Sequence, residues 1–376
     1  MALRQARGLA RTGASVLIIG QGALAPEDEG GRLTLIDAGV GKTTASSRRL
    51  AYFFKVGAFA TMAGIRAAGV LRRAPDIEVV HCHHSTTVLM LRALGLRRPL
   101  VYTVHDNPYL ITDSFSSVGE RSFRFAVNGL LDDLAARRAD HVVAVSPEIV
   151  ARLERWGVPH RKISEIWPTA ASRQSDAVTQ ARGAHSSSLV PEQPFLLCVG
   201  DFTGRKRMDL LVRALAELPG DLRLVIVGRG PQAGNLARLI TELNLTDRIT
   251  VHPYLENSSL VQLQLAAQAA VLVSEREGLP TSLIESVRAG TPALYVTTES
   301  LTLPRTDPYL RHVVSLSPTA IASAILQTLA ISRQGSSTRE DVRQWATQVF
   351  PDEDASARTL LEVYGRLTEK GKAPSR

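Results

Sequence analysis

At 376 residues the chain exceeds what one hydrophobic core usually supports, so two domains of ordinary size are expected. Its 44% hydrophobic and 21% charged residues are those of a globular protein and exclude the disordered and fibrous classes. The net charge of +8 lies in residues 1–100, which hold 14 Lys and Arg against 6 Asp and Glu, whereas residues 101–376 hold 30 of each.

One end is therefore basic, which fits a face that meets nucleic acid, anionic lipid or an acidic substrate, and equally fits scattered arginines in water. No charged-then-apolar signal segment opens the chain, so the cytoplasm is the expected compartment. The opening "ALRQARGLARTG" has a helical pattern, and "SVLIIG" and "LTLI" are the first strands. "DAGVGKTT", residues 37–44, matches the end of a phosphate-loop pattern at Gly41, Lys42 and Thr43. The glycine required five residues earlier is Ile36, so a surface loop is the expected reading. Between the arginine pairs of "RRLAYFFKVGAFATMAGIRAAGVLRR", residues 48–73, the chain is long enough to span a bilayer but is interrupted by Lys55 and Arg66. Those two cations fall on one helical face, so an amphipathic helix packed on a sheet is expected, with a helix lying flat on an anionic membrane as the second reading.

Further strands are expected at "EVVHCH", "LVYTVH" and "HVVAV", with helices near 85–95, 118–138 and 147–157. In "HCHH" the period of a strand sends neighbouring residues to opposite faces, which argues against a zinc site at His81, Cys82, His83 and His84. Cys82 and Cys198 lie in apolar runs and are expected to be core thiols. Residues 168–194 are rich in Ser, Ala, Gln and Pro and show no sustained period, which marks a linker. After it the strands "FLLCVG", "LRLVIVG", "ITVH", "AVLV" and "ALYV" repeat the alternation. The fold class is thus α/β, with two doubly wound Rossmann-like domains facing across a cleft. The expected boundaries are 1–170, a linker at 171–194, 195–352, and a terminal helix at 353–376 packing back on the first domain.

Two segments carry chemistry. In "FLLCVGDFTGRKRMDLL" a strand is followed by a loop from Gly200 to Gly204, and Arg205, Lys206 and Arg207 then open a helix. Cations beside a helix start form an anion site suited to a phosphate or diphosphate, since cations ordinarily stand at helix ends. In "SEREGLPTSLIESVRAGTPAL", Glu277 lies in the loop after a strand, Pro280 suits the first helical turn and Gly290 the position past its end. Gly278 permits close approach of a ligand to the backbone. Two carboxylates about a helix start that holds an anion could accept hydrogen bonds from hydroxyls, which together describe a nucleotide sugar. Taken without their context, Glu277 reads better as an acid complementing a helix dipole, and Glu285 as a solvated surface residue.

The glutamate pair with its glycine and prolines resembles the signature of the retaining GT-B glycosyltransferases of family 4. "DIEVVHCHH", "TVHDNP", "HVVAVSPEIVARLERWGVP", "VGDFTGRKRMDLL" and "LVIVGRGPQAGNLARLITELNLTDRITV" precede it in the family's order. The resemblance implies transfer of a sugar from a nucleotide diphosphate sugar to a glycan or lipid-linked acceptor, with retention at the anomeric carbon. It implies that Glu277 binds the transferred sugar, Glu285 the ribose, Lys206 the diphosphate, and that His105 approaches the reacting sugar. Gly200, Arg205, Arg207, Gly278, Leu279 and Pro280 complete the donor site. No cofactor or metal is required, nucleic acid is not a partner, and the basic end is expected to associate peripherally with an anionic inner-membrane face. Two positions depart from the family. Asp201 stands where an arginine is usual, and the chain begins at a helix where a strand and glycine-rich loop are usual, so the first domain lacks its first strand. Translation then begins upstream of Met1, or the domain is incomplete. The alternative function is a catalytically silent sugar-nucleotide-binding or scaffold protein.

Overall fold

The computed structural model describes residues 2–20, 33–37, 64–105, 129–167, 189–275, 280–298, 309–333 and 339–372. These form two compact units. The first holds the described residues up to 167 and those from 353 onward, and the second holds residues 189–352.

In the first unit α1 (Ala2–Arg11) precedes β1 (Val16–Gly20) and β2 (Leu33–Asp37), which pair in parallel. Residues 64–73 are helical (α2) and are followed by β3 (Val80–Cys82), α3 (Ser85–Ala93) and β4 (Leu100–Val104). A helix at 129–138 (α4) leads to β5 (His141–Ala144), α5 (Pro147–Arg155) and β6 (Ile163–Glu165). The parallel order is β3-β4-β5-β6, and among the described residues no strand joins this ladder to the β1-β2 pair.

Alternation along the strands divides the core. Tyr102, Val104, Val142 and Ala144 face Leu91 of α3, Ala135 of α4 and Leu153 of α5, while Val101 and Val143 face the other way. Ser146 begins α5 by accepting a bond from the Ile149 amide at 3.4 Å, with Pro147 in the first turn. The second face is covered by α12 (Glu353–Lys372), whose Ala357, Leu360 and Val363 pack with Leu9 of α1 on Val101 and Val143. Arg11 holds the two helices together through Glu353 and Asp354, each at 2.8 Å.

The second unit contains β7 (Phe195–Val199), α6 (Met208–Ala216), β8 (Arg223–Val227), α7 (Ala233–Glu242), β9 (Ile249–His252), α8 (Asn257–Ala266) and β10 (Ala269–Val273). It continues through α9 (Thr281–Ala289), β11 (Ala293–Thr297), β12 (Leu310–Val314), α10 (Pro318–Arg333) and α11 (Arg339–Val349). All six strands are parallel, in the order β12-β11-β10-β7-β8-β9. Leu196 and Cys198 face the core shared with α6, α7 and α10, and Phe195 and Leu197 face Leu263 of α8. Continuous apolar runs arise because both faces are buried. Both cysteines are buried and unbridged, and burial pushes each thiol up to about 12.

Candidate active site

From β7 the chain runs outward through β8 to β9, then returns to the other side of β7 for β10, β11 and β12. In an open parallel sheet a ligand crevice lies outside the carboxyl ends of the two strands flanking that reversal. Here those are β7 and β10. The carboxyl end of β7 is Val199 and Gly200, and that of β10 runs into Ser274 and Glu275, so both sequence-read segments meet at one place.

Beyond β7 the backbone follows the end of β8. The Gly200 amide donates to the Val227 carbonyl at 3.0 Å, and the Phe202 amide to that of Arg229 at 2.9 Å. Gly228 must be glycine for this approach, since a β-carbon there would stand 2.0 Å from the Gly200 carbonyl oxygen. Asp201, at the position where an arginine is usual, is exposed.

The three cations do not open α6, as the sequence implied. Gly204–Lys206 form a separate 3₁₀ turn, and Arg207, with φ 38° and ψ 42°, breaks the chain before α6 starts at Met208. The turn is fastened to β10, because the Arg205 carbonyl accepts from the Glu275 amide at 2.8 Å and from Ser274 Oγ at 3.3 Å. Lys206 points back toward the end of β7. Its Cε would lie 3.8 Å from a β-carbon on Gly200, and its charge is felt at the Cys198 thiol. Arg207 is already compensated, through a two-pronged contact to Asp209 at 3.1 and 3.0 Å and one to Glu275 at 3.1 Å.

Glu277, Gly278 and Leu279 lie outside the described residues, as does Lys42. Pro280 is described, buried, and immediately precedes α9. Among the described residues no side chain caps that helix start. Glu285, half-buried, lies in the second turn. The far end of α9 is firmly held. Gly290 closes it at φ 92°, Arg343 donates to the Ala289 carbonyl at 3.0 Å, and Arg288 donates to that of Phe350 at 2.7 Å. The helix start and Glu285 are therefore fixed from behind by α11.

In the first unit His105 follows β4 directly, and its Nε2 lies 2.7 Å from Nδ1 of His83. Burial lowers His105 to about 4, so its imidazole is neutral. The histidine pairing was not foreseen from sequence, although the strand periods of "VHCHH" and "TVH" place the rings on one face. His81 and His83 share that face, and Cys82 lies on the other, against the helices.

Solved structures share the whole architecture. Sucrose-phosphate synthase from Thermosynechococcus elongatus superposes with a TM-score of 0.77 over 98% of this chain and 93% of that one, at 21% identity. HepE from Anabaena, solved with UDP and glucose, gives 0.69 over 96% and 94%, at 15% identity. Two Rossmann-like units of this kind define the GT-B fold. Residues 1–169 match Glycosyltransferase Family 4 and residues 183–305 match Glycosyl transferases group 1. The chain belongs to the group 1 glycosyltransferases of the GT-B fold. Among relatives, D-inositol 3-phosphate glycosyltransferase of Nocardia farcinica is 31% identical over 232 residues, 58% of this chain and 51% of that protein. The chain thus spans about half the length of that relative.

Proposed function

We propose that the protein transfers a sugar from a nucleotide diphosphate sugar to a glycan or lipid-linked acceptor, with retention of anomeric configuration. The observation that carries this reading is the meeting, at the switch point between β7 and β10, of the Gly200–Arg207 segment with the segment leading to Pro280 and Glu285. Family membership and a fold shared with a UDP complex support it. In this reading Lys206 and the start of α9 take the diphosphate, and Gly200 lets it approach the backbone. Developing charge on the leaving group is met by these fixed groups, with no metal ion in the role. Glu277 holds the transferred sugar, Glu285 the ribose, and His105 approaches the sugar. Release of nucleoside diphosphate from a panel of nucleotide sugars, read beside simple nucleotide binding, tests the reading. Binding without turnover for every donor and acceptor would instead make the protein a silent sugar-nucleotide binder.

Glu285 gives a sharper expectation. Charge-assisted hydrogen bonds from ribose hydroxyls are worth about 1.5–3 kcal/mol, so the parent should favour UDP over 2′-deoxy-UDP by roughly tenfold or more. Glu285→Ala should abolish that preference, lowering affinity for the ribonucleotide more than for the deoxy-nucleotide, which loses only its 3′-hydroxyl bond. Equal affinities in the parent, measured by calorimetry, would remove Glu285 from the ribose site.

A second reading places the first unit on an anionic membrane surface. Among the described residues of that unit Ile65 is 54% exposed and Leu130 50% exposed, and Arg66, Arg72, Arg73 and Arg97 are exposed. Among the described residues no helix is long and apolar enough to cross a membrane. Each cation near an anionic bilayer contributes about 1 kcal/mol, an attraction that salt screens. The protein should therefore sediment with phosphatidylserine vesicles at low salt and leave them in 1 M salt, with no sedimentation on neutral vesicles. Equal recovery in both supernatants at low salt would exclude the membrane.

A further inference from the structure

Beside the carboxyl ends of β3 and β4 stands a ladder of rings. The parallel register sets His81 beside Val101 and Cys82 beside Tyr102, so His83 comes level with Thr103, and His105 stands one strand repeat beyond. His81 stacks on His83 at 4.7 Å between centroids, and His83 on His105 at 5.0 Å, with 18° and 23° between planes. Both nitrogens of His81 are occupied, Nδ1 by the Tyr364 hydroxyl of α12 at 2.5 Å and Nε2 by Thr103 Oγ1 at 2.6 Å. His83 and His105 share one hydrogen bond of 2.7 Å.

A neutral imidazole carries a single N–H, and burial keeps all three rings neutral: His81 falls to about 3, His105 to about 4, and His83 lies well below its usual value. One proton therefore occupies the bond between His83 and His105, and the two tautomers are locked together. When His83 Nδ1 donates, His105 Nε2 accepts and the proton of His105 sits on Nδ1. When His105 Nε2 donates, its Nδ1 becomes a lone pair and His83 carries its proton on Nε2. Neither outer nitrogen, His105 Nδ1 nor His83 Nε2, has a partner among the described residues, and neither is sealed from solvent.

We propose that His83 is a positioning residue, whose hydrogen bond fixes the ring plane of His105 and decides whether His105 Nδ1 presents a proton or a lone pair beyond the end of β4. The stacked and doubly anchored His81 holds His83 in place for this purpose. The consequence for turnover rests on the reading that His105 approaches the donor sugar, whereas the tautomer lock does not depend on it.

The test uses the full chain with ¹⁵N-labelled histidine, because ring-nitrogen shifts distinguish protonated from lone-pair nitrogens directly. In the parent, His83 and His105 should each show one protonated and one lone-pair nitrogen and should be the same tautomer, both protonated on Nδ1 or both on Nε2. His83→Phe keeps a stacking ring without the bond, and should give His105 averaged shifts from both tautomers. His83→Asn places an amide where Nδ1 was and should restore a single tautomer. Averaged shifts for His105 in the parent, or unchanged shifts in His83→Phe, would overturn the proposal, and the parent measurement stands even if a variant fails to fold. Turnover should fall roughly tenfold in His83→Phe with UDP affinity within twofold of the parent, and recover in His83→Asn. If the tautomer is released while turnover stays unchanged, the lock stands and the assignment of His105 to the reacting sugar fails.

Discussion

Replacing Lys206 by alanine is expected to lower turnover of any accepted nucleotide sugar by about 10²-fold or more, the scale on which loss of one fixed charge-stabilising group acts. The turn bearing Lys206 is tied to β10 by the backbone carbonyl of Arg205, so the substitution removes a charge without releasing the loop. Arg207 cannot take its place, because its guanidinium is spent on Asp209 and Glu275. Freeing Arg207 would leave Glu275 with a bare charge at the same strand end. Lys206→Arg should recover only part of the loss, since a planar fork on a longer stem does not reproduce a compact ammonium close to Gly200. Turnover of Lys206→Ala within threefold of the parent, measured as nucleoside diphosphate release, would remove Lys206 from the diphosphate site.

The strands that the sequence displays most plainly are those buried on both faces, for a physical reason, although the edge strands β3 and β9 were also read. β4, β5, β7, β10 and β11 have no solvent side, so nearly every position is apolar or small, His141 of β5 being the exception, and the run stands out. β6 and β12 were not foreseen. Each lies at the edge of its sheet and pairs on one side only, and "ISE" and "LRHVV" carry polar residues into the half-exposed positions. α12 belongs to the first unit, and its means of attachment was not legible in the sequence. Arg11 to Glu353 and Asp354 is a pairing across the whole chain, which no local pattern announces.

At the candidate site, legibility followed the backbone. Gly200, Glu285 and Gly290 occupy the positions that helix and strand punctuation implies, whereas Pro280, expected in the first helical turn, stands just before the helix. The distinction among Arg205, Lys206 and Arg207 was hidden, since it depends on a left-handed residue at Arg207 and on Glu275 arriving from a strand 68 residues later. The pairing of His83 with His105 was hidden likewise. Each strand's period could be read alone, but the register that brings the two rings together belongs to the sheet.

Arg152→Ala is the substitution expected to cost the first unit most. Arg152 of α5 and Asp133 of α4 face each other at 3.9 Å, with side chains only 3% and 2% exposed. Neither carboxylate oxygen of Asp133 accepts a hydrogen bond among the described residues. Burial pushes that carboxyl above its usual range, and Arg152 acts against the push. Removing the cation leaves a buried acid without its counter-charge, a loss of about 3–5 kcal/mol, whereas replacing both partners by apolar groups of similar volume is close to neutral. Amide exchange resolves the effect within the unit, where a whole-chain melting curve would mix two domains. Protection of the Val142 and Val143 amides should fall roughly 10²- to 10³-fold in Arg152→Ala. It should return to within tenfold of the parent in the double variant Asp133→Leu with Arg152→Met. Asp133→Asn separates two causes, since it keeps the shape and removes the charge that Arg152 needs. Small losses in both Asp133→Asn and Arg152→Ala would mean that the acid is already protonated in the folded chain, so that there is no buried ion pair to break.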